Sequence, residues 1–128
     1  VLGYKTIELA DFYTAHSGLN CDYAISSPLD GANIIKAKRD NHLKGGILIS
    51  NPIPEEYAMD KERIDKCIND AIEEMKHLGV HGKETTPFLL SKICELSGGD
   101  SLESNIKLVL NNAKVGSMIA VEYAKLRK

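Results

Sequence analysis

The segment Lys44–Pro54, KGGILISNPIP, limits the fold more tightly than any other stretch of this chain. Gly45-Gly46 breaks whatever precedes it. Ile47–Ile49 is β-branched and apolar with no polar alternation, which predicts a strand buried on both faces, as in a parallel sheet covered by helices. Asn51-Pro52-Ile53-Pro54 follows at once, and neither a strand nor a helix continues through it. A buried strand that stops at a rigid turn assigns the chain to the α/β class.

The flanking sequence supplies the rest of the pattern. Val1–Tyr4 reads as a short strand and Cys21–Ile25 as a possible second one. Ser27-Pro28-Leu29-Asp30 is a helix start, with a Ser cap, Pro at the first helical position and an acid three residues after the cap. That helix is expected to reach about Leu43 and to bury Leu29, Ala32 and Ile35. A second helix, about Asp60 to Leu78, carries Ile64, Cys67, Ile68, Ala71, Ile72, Met75 and Leu78 on one stripe, and Gly79 ends it. Thr86-Pro87 starts a third, with Phe88, Leu89, Ile93 and Leu96 as its apolar positions and Gly98-Gly99 as its stop. The last helix begins at Ser101 and could extend to Leu126. Its apolar surface is broad enough to predict burial on more than one side. Two or three strands make a thin sheet for so many helices, so the missing strands are expected upstream of Val1. The opening at Val1, directly on a strand-like segment, is that expected of a fragment or a processed chain.

With 128 residues there is room for one ordinary domain. Sixteen Lys and Arg stand against eighteen Asp and Glu, interleaved along the helices, so a nucleic-acid partner is not expected. No apolar run approaches bilayer length, and no membrane association is expected. The three cysteines, Cys21, Cys67 and Cys94, form no CxxC pair, and a reducing, cytoplasmic compartment suits them.

Few residues offer chemistry. Asn51 follows the buried strand, at the edge where open α/β sheets gather ligands. It could bind a ligand there or merely organise its own turn. Asn105 and Asn112 lie seven residues apart, nearly two helical turns, and so point the same way, whereas Asn111 points elsewhere. Aligned amides on a buried helix need partners, because an unpaired buried amide costs about 1–3 kcal/mol. A bound base and a polar seam of loop carbonyls would each serve. His77 and His81 have HxxxH spacing, but Gly79 separates them at a helix end and no metal site is expected there.

Three longer segments carry a resemblance. Lys44–Glu56 (KGGILISNPIPEE), Gly82–Leu90 (GKETTPFLL) and Leu96–Ala113 (LSGGDSLESNIKLVLNNA) are similar, in order and spacing, to the motifs of the pseudouridine-5'-phosphate glycosidases, also called indigoidine synthase A-like proteins. The resemblance spans residues 1–128 and implies the C-terminal part of a single mixed-sheet α/β/α domain, helix-rich with few strands. It implies a lyase-type glycosidase that reversibly cleaves the C–C bond of pseudouridine 5'-phosphate to uracil and ribose 5-phosphate. In that chemistry the opened sugar is held on a lysine as an imine, which accepts electrons that a closed furanose cannot. A carboxylate moves protons and a divalent metal, commonly manganese, assists. The imine lysine, the carboxylate and the metal ligand are all expected upstream, so no catalytic or metal-binding residue is assigned to this segment. The resemblance places a uracil-contacting asparagine at Asn105, with Asn112 and Asn51 as further substrate-binding candidates, and implies a homotrimer. Ala15-His16 stands where an Arg and a small residue are expected, and Ser104 and Lys107 suggest a wetter side to the last helix. A non-catalytic assembly or binding fragment of the same fold is the alternative reading.

Overall fold

Ser27 is the best-formed cap in the chain. Its hydroxyl accepts the Asp30 N–H at 3.1 Å, and the Asp30 carboxylate accepts the Ser27 N–H at 3.0 Å, closing a capping box. The computed structural model describes residues 1–127. Strand β1 (Leu2–Tyr4) and strand β2 (Tyr23–Ile25) precede helix α1 (Pro28–Asp40), and strand β3 (Ile49–Ser50) follows it. A 3-10 turn (Glu55–Tyr57), helix α2 (Lys61–His77), a second 3-10 turn (Gly82–Glu84), helix α3 (Thr85–Leu96) and helix α4 (Asp100–Leu126) complete the order. This is the α/β, helix-rich, strand-poor architecture expected from the sequence.

The sheet has the order β2-β1-β3 and is parallel throughout, with Leu2 beside both Tyr23 and Ile49. Helices α1 and α4 pack on each other and on one face of it. Tyr4, Ile25, Val115 and Ile119 form that core, with Leu2, Ile34, Ile35 and Ile49 against it. A second core lies between α2 and α3, where Tyr13, Ile64, Cys67, Ala71 and Ile93 meet. Cys21 and Cys67 are buried, Cys94 is half-buried, and all three thiols are free.

Several boundaries and burial assignments differ from the expectation. α1 ends at Asp40 rather than near Leu43, because His42 adopts a left-handed conformation (φ 54°). The His42 and Leu43 N–H groups then bond back to the Arg39 and Lys38 carbonyls, a Schellman closure made without glycine. Leu29 is exposed, since the face of α1 that meets α4 is centred on Gly31 and Ala32. β3 is Ile49–Ser50 rather than Ile47–Ile49, and it is not covered on both faces. Ile49 joins the core, while Leu48 points the other way and is exposed at the sheet's edge. Leu78 and Leu96 sit at helix ends and are exposed. α4 buries one side only: Ser101, Ser104, Leu108, Val115 and Ile119 face inward, and much of its apolar surface faces outward. Ser104 lies on the buried side, where its hydroxyl bonds the Tyr57 carbonyl at 2.9 Å, so this position is dry rather than wet. Among the described residues, no helix is long and apolar enough to cross a membrane.

Gly31 sets the spacing of α1 on α4. A Cβ there would lie 3.3 Å from Ile119 Cδ1 and 3.4 Å from Ile25 Cδ1. Gly31→Leu is expected to overpack this contact and cost about 1–3 kcal/mol, read as a lower urea midpoint. Leu29→Ala, on the exposed side of the same helix, should change stability by less than about 0.5 kcal/mol.

Candidate functional site

A parallel sheet places its ligand crevice where neighbouring strands send their connections in opposite directions. Here β1 leads to β2 on one side, and the chain then crosses through α1 to β3 on the other. The carboxyl ends of β1 and β3 therefore flank such a point. An open cleft of about 640 Å³ lies there. Ala10, Asp11 and Phe12 from the loop after β1 form one wall, Ser50 and Asn51 the floor, and Leu108, Asn112, Val115 and Gly116 of α4 the other wall.

The polar groups of the cleft are few and fixed. Asn51 Nδ2 donates to Asn112 Oδ1 at 2.9 Å. Ser50 Oγ accepts the Ala10 N–H at 2.7 Å, tying the loop after β1 to the end of β3. Asn111 Nδ2 reaches the Pro52 carbonyl at 3.4 Å and braces the turn from behind. The Asp11 carboxylate is occupied by its own loop: it accepts the Phe12 N–H at 3.0 Å and the Thr14 hydroxyl at 3.1 Å, and pairs with Lys61 at 3.4 Å.

Of the three asparagines singled out from the sequence, the structure brings Asn51 and Asn112 together and leaves Asn105 out of the cleft lining. Asn105 stands on the same side of α4 as Asn112, half-buried, two turns nearer the helix start. The Asn51–Asn112 bond leaves Asn51 Oδ1 and Asn112 Nδ2 without a protein partner among the described residues. An acceptor and a donor thus stand side by side at the cleft. Sequence reasoning passed over Ala10–Phe12 and Ser50, which carry no motif and enter the site only through the sheet's topology. Among the described residues no three His, Cys, Asp or Glu side chains gather to hold a metal ion. His77 and His81 belong to no such group.

Beyond the cleft, His16 bridges two segments. Its Nδ1 lies 3.3 Å from Glu8 and its Nε2 3.2 Å from Glu55, so the loop after β1 is clamped to the turn after β3. Hydrogen bonding to Glu55 first, and to Glu8 second, raises the imidazole pKa above its ordinary value.

A family model described as indigoidine synthase A like protein matches residues 1–122. The chain is 53% identical over 128 residues to the pseudouridine-5'-phosphate glycosidase of Caldanaerobacter subterraneus subsp. tengcongensis, covering all of this chain and 42% of that protein. It is 54% identical over 123 residues to the protein of the same name from Petrotoga mobilis, covering 96% of this chain and 40% of the relative. The chain thus spans about two fifths of these relatives, their C-terminal part. An indigoidine synthase A-like protein of Thermotoga maritima superposes with a TM-score of 0.80 at 29% identity, over 99% of this chain and 40% of that one. The prealnumycin C-glycosynthase AlnA, solved with ribulose 5-phosphate, shares the fold at 22% identity with a TM-score of 0.84, over 98% of this chain and 41% of its own.

The His16 clamp gives stability a pH dependence of defined sign. A histidine whose pKa is raised on folding stabilises fully below the unfolded value, 6.5, and the benefit disappears as pH rises through the raised folded value. The urea midpoint should therefore exceed that of His16→Gln at about pH 5, and the two should converge by about pH 9. A constant gap across that range would mean that the ring acts by packing and not by charge.

Proposed function

Because the chain belongs to the family of indigoidine synthase A like proteins, we propose that it is part of a pseudouridine-5'-phosphate glycosidase, reversibly cleaving the C–C bond of pseudouridine 5'-phosphate to uracil and ribose 5-phosphate. The observation that carries this reading is identity of about half, over the whole chain, to relatives that bear that name.

The cleft suggests what this chain contributes. The imide edge of uracil presents an N–H beside a carbonyl. Asn51 Oδ1 can accept the first and Asn112 Nδ2 can donate to the second, and their mutual bond holds the two amides in register. Asn105, assigned to the base by the resemblance of its motif, lies outside the cleft lining, so we assign the base-reading role to the Asn51–Asn112 pair first. Pro52 and Pro54 stiffen the backbone that carries Asn51. Such rigidity suits a group that must meet a flat ring at fixed distance.

No lysine lines the cleft among the described residues, and its one carboxylate, Asp11, is engaged by its own loop. The imine-forming lysine, the proton-transfer carboxylate and the manganese ligands are accordingly assigned to the remaining portion of the relatives' fold, and the working assembly to a homotrimer. The 128 residues alone should release no uracil from pseudouridine 5'-phosphate, and uracil release by the purified chain would place the chemistry here after all.

The reading is tested by exchanging these residues for the corresponding part of the Caldanaerobacter glycosidase and following uracil release. The exchanged enzyme should turn over. In it, Asn112→Asp sets a negative charge against a carbonyl of the base and removes a donor, which should lower kcat/KM by about 30- to 1000-fold with little change in melting temperature. Asn105→Asp should cost less. The opposite ranking would return the base to Asn105, and loss of stability alone in both would make the asparagines scaffold.

A further inference from the structure

α4 is 27 residues long and carries a second apolar face. Its core-facing side is marked by Ser101, Ser104, Leu108, Val115 and Ile119. At 100° per residue, Leu102, Ile106, Val109, Leu110, Ala113 and Ala120 share one outward arc of α4 about 100° wide, which holds no charged side chain of the helix and is bordered by Glu103 and Lys114. The four large residues of this stripe are 49–60% exposed. Its one hydroxyl, on Ser117, is already satisfied by the Ala113 carbonyl of its own helix at 2.7 Å. Large side chains fill the first half of the stripe and small ones the second, which lets a neighbouring element approach closely there. Val121 carries it on to Met118 and Leu29, which line an apolar groove of about 580 Å³ between α4 and α1.

We propose that this stripe is the seat of the polypeptide that lies N-terminal to the matched segment in the relatives, so that α4 is the central helix of the whole fold, with sheet and α1 on one side and that portion on the other. Two observations select this occupant over a second copy of the chain. The relatives carry about 58% of their length outside the match, and the matched part of the Thermotoga neighbour is likewise 40% of its chain. The parallel sheet also has both edges open, at β2 and β3, with Tyr23 and Leu48 exposed. Parallel strands are stable when flanked and covered. A second copy docked on α4 would leave those edges bare, whereas one further portion of α/β chain can supply both the missing strands and the cover for α4. The same portion closes on the cleft from the α4 side, because Asn112 and Gly116 lie between the core side and the stripe.

The inference rests on the family and the packing, not on the substrate, and its test reads assembly rather than turnover. The 128-residue chain is co-expressed with the N-terminal portion, about 58% by length, of the Caldanaerobacter relative, one of the two carrying a tag. Light scattering should show a monomer for the chain alone and a 1:1 complex for the pair. Ile106→Asp with Leu110→Asp should weaken the complex by at least about 100-fold. The circular dichroism of the variant chain alone should be unchanged, since both residues are exposed in it. Ile106→Ala, which introduces no charge, should weaken the complex less. A complex that withstands the double variant would overturn the proposal. So would a folded chain that forms no complex, or self-association that the same double variant abolishes, which would make a second copy the occupant.

Discussion

Ser104, Asn111 and Asn112 hold the chain that leaves β3 from a single helix, and the arrangement of the site depends on these three bonds. Ser104 takes the Tyr57 carbonyl, Asn111 the Pro52 carbonyl and Asn112 the Asn51 amide. Segment 51–58 contains two prolines and no regular ladder, so its backbone polar groups must find partners one by one. α4 supplies two of them, for the Tyr57 and Pro52 carbonyls. Lys107 adds its ammonium over the Tyr57 ring at 4.9 Å, and Arg63 of α2 pairs with Asp100 at the start of α4 at 2.8 Å while donating to the Ser97 carbonyl at 2.9 Å. The floor of the cleft and its α4 wall are thereby one mechanical unit.

That unit joins the two cores. Farther along α4, Val115 and Ile119 enter the core under the sheet, while the Met59 N–H, just past the braced turn, bonds the Tyr13 carbonyl and brings the loop after β1 onto α2. Ile53, almost wholly buried, anchors the middle of the turn. The loop after β1 is held at three further points, through Ser50, Lys61 and the His16 clamp. Both walls of the cleft are thus referred to the same helix, although one wall is irregular chain.

What was legible in the sequence follows from whether the cause was local. The helix stops at Gly79 and Gly98 were readable because glycine adopts positive φ without strain, and both stand at the left-handed position. The stop at His42 was not, because nothing in its own type announces a left-handed conformation. The class, the order of elements and the α2 stripe were readable from periodicity. Two burial assignments, Leu48 and the outward side of α4, read a true apolar pattern that nothing among the described residues covers. The site divided in the same way. The place of Asn51 at the candidate cleft was readable because a parallel strand's carboxyl end is a privileged position. Its pairing with Asn112 joins residues 61 positions apart and needed the crossing of β3 and α4, which no spacing within one helix reveals. Asn105 shares the phase of Asn112 but not its height on the helix, and height decides which side chain meets the cleft.

The paired amides also explain why the site is built from asparagine. A carboxylate at either position stays hydrated while the cleft is open, but once the cleft is covered it would stand beside Leu108, Val115 and Ile119 with no cation in the lining to pair it. A hydroxyl would supply one bond and leave its direction free. An amide gives a fixed donor and a fixed acceptor on one plane, and two amides bonded to each other leave one of each pointing outward. When another group covers the cleft, those two outward atoms lose water and must be matched or cost about 1–3 kcal/mol each. A ligand with a donor next to an acceptor recovers that cost, and a purely apolar one does not. On the proposed reading, the cleft's selectivity would reside in the unpaired halves of Asn51 and Asn112 and would become strong only once the apolar surroundings are closed.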